Sequence, residues 1–202
     1  TLAEDLARAL PGFVAEEYLR DFVRDYGRLP TAADQEGIYL TQQMTVRTVE
    51  RAATYSDTPW VIADPLPLMT AVYSVVYFDD DALLSQGIED ASSYDVLLWC
   101  APDLAWVAEE GMRDGGSFRD RADDVIREYV APHLALTVIA GDREDDVHVE
   151  RVNGGCDVRV NGVMHAVRCN WRISSGSTPA STSSRCSTRR HATASIALRR
   201  CW

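Results

Sequence analysis

The 202-residue sequence contains no lysine, so all 20 of its basic residues are arginines. That absence removes from the sequence any phosphate-binding loop of the form Gly-x-x-x-x-Gly-Lys-Ser/Thr, whose lysine reaches the β- and γ-phosphates of a nucleotide. No run of about 18 apolar residues occurs, so no stretch reads as a membrane-spanning helix. No basic-then-apolar segment opens the chain, and a cytoplasmic protein without a membrane partner is expected. Cysteine is scarce too. Cys100, the single one in the first 150 residues, sits in an apolar run where an inert buried thiol is expected. Cys156, Cys169, Cys186 and Cys201 follow with no Cys-x-x-Cys pair, which implies no oxidising compartment. The set Cys156, His165 and Cys169 has the wrong spacing for the common zinc ribbons and fingers.

Acidic residues are scarce only at one end. Residues 1–150 carry 11 Arg against 30 Asp and Glu, a balance of −19, whereas residues 151–202 carry 9 Arg against Asp157 alone, a balance of +8; together they give the net −11. So acidic a first part excludes nonspecific nucleic-acid binding by charge. Length and 46% hydrophobic content suit one α/β domain, placed at residues 1–150. From Ser174 to Ser195, 12 of 22 residues are Ser or Thr, with no acid and little periodicity. Residues 151–202 read as a disordered basic tail or as translation out of frame, with a small extra domain behind both.

Within residues 1–150, apolar spacing alternates between helical and strand-like. Leu2, Leu6 and Ala9 share one helical face ahead of Pro11-Gly12, and Phe13 to Ala15 reads as a short strand. Tyr18, Phe22 and Tyr26 mark a helix stopped by Gly27, and Thr31 to Tyr55 reads as a long helix with Thr31 as its N-cap. Trp60 to Ala63, Tyr94 to Cys100 and Ala135 to Ala140 are apolar runs of the kind that make buried parallel strands. Between them, Leu68 to Phe78, a stretch opened by Asp79-Asp80-Asp81, and Ser117 to Val130 read as helices. This alternation predicts a three-layer α/β/α domain with a mostly parallel sheet.

Three features carry chemistry. The stretch Thr1 to Ala7 is the kind of helix that follows a phosphate loop. Asp64 ends an apolar strand, where a carboxylate holds Mg²⁺ or deprotonates a hydroxyl, although a plain turn aspartate before Pro65 fits equally well. Arg113, Arg119 and Arg121 flank a Gly-rich loop, where mobile arginines close over a nucleotide; the competing reading is a solvated turn with helix pairs such as Arg121 and Asp124.

Taken together, TLAEDLA (1–7), EEYLRDF (16–22), IADPLPLMTAVYS (62–74) and YDVLLWCAPDLAWVAEEGMRDG (94–115) resemble the NadR-type AAA ATPase group, which includes ribosylnicotinamide kinases. The resemblance covers about residues 1–145 in the right order. It implies a P-loop kinase-like domain that uses ATP and Mg²⁺ to phosphorylate a small nucleoside-like hydroxyl. By matching position, Glu17, Arg20 and Thr70 would bind substrate, Asp64 would be the catalytic or Mg²⁺-linked carboxylate, and Thr1, Arg113 and Arg119 would bind nucleotide. The sequence departs from the family in three places: it has no Walker A segment, so that it opens one step after the expected loop; it has Glu16 where an aromatic stands; and it has Glu109-Glu110 where Asp-Gly is usual. A non-catalytic binding or regulatory module built on the same sheet is the alternative.

Overall fold

The structure, a computed structural model, describes residues 2–10, 12–56, 60–103, 116–140, 148–152, 155–160, 163–167 and 195–200. Helix α1 (Leu2–Ala9) leads into strand β1 (Gly12–Ala15), then α2 (Tyr18–Tyr26) and α3 (Gln35–Thr54). Strand β2 (Trp60–Ala63) is followed by α4 (Pro67–Phe78) and α5 (Leu84–Ala91), and β3 (Val96–Cys100) by α6 (Gly116–Val125) and β4 (Leu136–Ile139). Gly27, at φ 63°, ends α2 in the left-handed region that glycine adopts without strain. Among the described residues no helix is long and apolar enough to cross a membrane.

These strands make a mixed α/β fold. β1 pairs with β2 in parallel and β3 with β4 in parallel, but β2 and β3 are not hydrogen-bonded neighbours. Between them lies β8 (Ser195–Arg200), antiparallel to both neighbours, giving the order β1-β2-β8-β3-β4. The sheet is therefore mixed, with two parallel and two antiparallel pairings and not the mostly parallel sheet expected, because one reversed central strand that periodicity did not predict lies in it. Three further strands, β5 (His148–Val152), β6 (Gly155–Val160) and β7 (Val163–Val167), form a separate antiparallel sheet.

Strand residues divide between two apolar clusters, as alternation requires. Trp60, Ile62, Leu98 and Cys100 join Leu2, Leu6 and Leu10 from α1 and its end. Ala63, Leu97 and Trp99 join Val46 of α3, Met69 and Val72 of α4, and Ala122 and Ile126 from the α6 side. All four residues of β2 are buried, as is Cys100, so the thiol is free and buried as expected. Each fully buried leucine of α1 contributes roughly 1.5–3 kcal/mol, which is why so short a helix holds its place.

Several boundaries differ from the periodic reading, each for a local reason. The Asp79-Asp80-Asp81 run does not open α5; Asp79 closes α4 in a left-handed turn at φ 55°, and Asp80 accepts a hydrogen bond from the Ala82 N–H. Thr31 precedes a 3₁₀ turn, Ala32–Asp34, not α3 itself, because the Asp34 carboxylate accepts from both the Thr31 N–H and hydroxyl. After α6 the chain loosens into a π turn, Ile126–Val130, in which the Ala131 N–H reaches back to the Ile126 carbonyl.

Candidate functional site

The carboxyl ends of β1 and β2 are level, with Ala15 paired to Ala63. The Asp64 N–H still donates to the Ala15 carbonyl at 3.2 Å, so the ladder runs one step past β2. This brings two connections side by side: Glu16-Glu17, leading into α2, and Asp64-Pro65-Leu66, leading into α4. The peptide bond between Asp64 and Pro65 is cis. Ligands in open α/β sheets collect at such strand ends.

Glu17, Arg20 and Asp64 come together here. The Arg20 Nε donates to the Glu17 Oε2 at 3.0 Å, with Arg20 about half exposed and Glu17 more sheltered. Burial pushes the Asp64 carboxyl up to about 6, and the nearby Glu17 carboxylate adds to that rise. The chain's amino group and Arg20 pull the other way, while Glu4 of α1 adds a small upward push. A carboxyl poised there exchanges a proton close to neutral pH, as a general base must.

The two connections are held by a residue that sequence reasoning did not single out. Gln42, from the middle of α3, reaches the Glu16 and Pro65 carbonyls with its Nε2, both at 3.1 Å, and accepts from the Tyr18 N–H at 2.7 Å. The signal was present in the sequence: Gln42 stands one helical turn from Ile38 and from Val46, both buried. A polar residue on a core-facing stripe requires partners.

The other expected site residues are placed less closely. Thr70 is buried as the fourth residue of α4. Arg119 lies on α6, where its guanidinium donates to its neighbour Asp120 at 3.0 Å. Arg121 does not take up the expected pairing along its own helix: it donates to the Val76 carbonyl of α4 and lies over the Phe118 ring. Thr1 and Arg113 fall outside the described residues, as does the Gly-rich loop. Among the described residues no group of three or more His, Cys, Asp or Glu side chains is placed to hold a metal ion.

Comparison with known proteins gives one match. The family model described as an AAA domain matches residues 1–145. No curated protein and no solved structure matches the chain.

Proposed function

The chain belongs to the AAA domain family, a P-loop NTPase-like group of nucleotide-binding proteins, and from that premise we propose that it is the body of a small-molecule kinase. In this reading ATP is the phosphoryl donor, and a nucleoside-like hydroxyl of the kind used by ribosylnicotinamide kinases is the acceptor. The single observation that carries it is Asp64: a sheltered carboxyl at the end of a wholly buried strand, beside Glu17 of the neighbouring connection and Arg20 of α2. Asp64 accepts the proton of the attacking hydroxyl as the phosphoryl group moves to it. Glu17 and Arg20 present an acceptor and a donor to the polar groups of the substrate, and Thr70 offers a hydroxyl to it. Arg119, together with Thr1 and Arg113, supplies the nucleotide side. A three-layer arrangement belongs to the same proposal and is supported by the split of strand residues between two apolar clusters.

Mg²⁺ needs only one or two carboxylates when phosphate oxygens and waters complete its shell. Asp64, with Glu17 beside it, fits that donor set, and the raised ionisation of Asp64 is what a neighbouring cation would reverse. When bound, the metal would neutralise charge on the phosphates. Asp64 would be its protein ligand in the alternative role, in which it holds the metal and does not take the proton.

A non-catalytic binding or regulatory module is the second reading, favoured by the absence of any lysine to reach the phosphates. One experiment separates the two. The chain is extended ahead of Thr1 with a strand and a Gly-x-x-x-x-Gly-Lys-Ser/Thr segment, then assayed for phosphorylation of a nucleoside panel. The kinase reading expects turnover that drops on the order of 10²-fold in Asp64→Asn with folding retained. Undiminished turnover in that variant removes Asp64 from the chemistry, and no turnover in the extended chain leaves the binding module.

A further inference from the structure

Burying a glutamine in the middle of a helix is unfavourable unless its amide is satisfied. Gln42 is 2% exposed, and both its donors and its oxygen are engaged. Its three partners are all backbone groups, and they belong to two different connections. Glu16 and Tyr18 stand on either side of Glu17, while Pro65 directly follows Asp64. One side-chain amide therefore ties the chain on both flanks of Glu17 to the chain next to Asp64. The Tyr18 N–H is also a first-turn donor of α2 with no acceptor inside the helix, and Glu17, the N-cap, makes no side-chain cap bond. Gln42 does that work from another helix.

We propose that Gln42 is a positioning residue: its amide sets the separation of the Glu17 and Asp64 carboxylates and keeps water out from between the two connections. This rests on Asp64 being the working carboxylate of the proposed kinase, but not on the identity of its substrate. Removing the amide leaves two carbonyls and one N–H without partners, so water must enter to solvate them. Glu17 is then free to move away from Asp64. A purely structural role for Gln42 predicts a loss of stability with the environment of Asp64 unchanged.

The test compares crystal structures of the full chain and its variants, reading the Glu17–Asp64 carboxylate separation and the water between the two connections. Gln42→Met removes the amide at similar volume, and Gln42→Asn keeps an amide too short to span all three partners. Gln43→Met is the matched control, because Gln43 bonds the Asp90 carboxylate at 2.7 Å and makes no described contact with either connection. In Gln42→Met the two carboxylates should move apart by roughly the width of a water molecule, with ordered water on the Glu16 and Pro65 carbonyls. Gln43→Met should lower the melting temperature and leave that separation where it is. An unchanged separation in folded Gln42→Met overturns the proposal; if that variant does not fold, the same result in Gln42→Asn overturns it. A changed separation in Gln43→Met overturns it as well, since the effect would then be general loosening. Absence of turnover in the extended chain would sink the kinase reading and leave this structural result intact.

Discussion

Asp64 ionises against its surroundings, and the sign of the consequence is fixed. Its carboxyl is raised to about 6 from an ordinary value near 4, so the stability it contributes is fully present below about pH 4 and is lost as pH rises through 6. Asp64→Asn cannot ionise and escapes that loss. Relative to the parent, it should gain on the order of 1 kcal/mol between pH 4.5 and 7.5, after discounting for the part of Asp64 that meets solvent. Melting temperatures at the two pH values check this, and a difference between parent and variant that does not change with pH would show that the carboxyl is not sheltered. A second buried polar contact is structural. The Tyr39 hydroxyl donates to Asp90 at 2.5 Å, joining α3 to α5, and burial and Asp90 together hold the phenol far above its ordinary ionisation. Tyr39→Phe should cost about 1–3 kcal/mol in denaturant unfolding, because Asp90 keeps only Gln43 as a described partner. The Asp64 titration should not move with it. Glu17 and Arg20 came only from the family resemblance, whereas Asp64 was legible in the sequence because a carboxylate that ends an apolar strand announces itself. Gln42 was not, because its role depends on two connections separated from it by more than 20 residues.

At the scale of elements, the strands and helices that bury a continuous stripe lie where periodicity puts them. Errors gather where a side chain competes with the backbone, as Asp79 and Asp34 do. The contact between α4 and α5 is close because Gly87 has no side chain: a Cβ there would sit 3.0 Å from the Leu68 Cδ1 and 3.4 Å from the Ala71 Cβ. Gly87→Ala gains helix propensity against mild crowding and should be near neutral, whereas Gly87→Leu should lose about 1–3 kcal/mol. Equal unfolding midpoints for the two would mean that the helices part easily. Strand β8 is the element that periodicity could not find, for Ser195–Arg200 ends a stretch rich in Ser, Thr and Arg. Its backbone hydrogen bonds join the two parallel pairs, with Ala197 opposite both Ala63 and Leu97. Ala197→Pro removes an N–H from this central ladder and introduces a clash. Hydrogen exchange of the β2 and β3 amides should then rise by at least tenfold, with Ala197→Val close to parent. Unchanged protection in the proline variant would place β8 elsewhere.

For the molecule as a whole, charge and missing chemistry set the limits. A phosphate loop contributes several charge-assisted hydrogen bonds, each about 1.5–3 kcal/mol, and a sequence without lysine has no residue to supply its central cation. Calorimetric titration of the chain itself with Mg-ATP should therefore show no binding at low micromolar concentrations; affinity in that range would mean that arginines replace the loop. The sequence by itself determined the α/β character, the acidic surface of residues 1–150, and the strand-end carboxylate, because each is written in local spacing and residue type. Only the tertiary structure decided that Glu17 and Arg20 stand beside Asp64, that Gln42 binds their two connections together, and that a reversed strand lies between β2 and β3. Such pairings join residues far apart along the chain. Their free energy comes from satisfying buried backbone groups across that distance, which no local pattern of residues encodes.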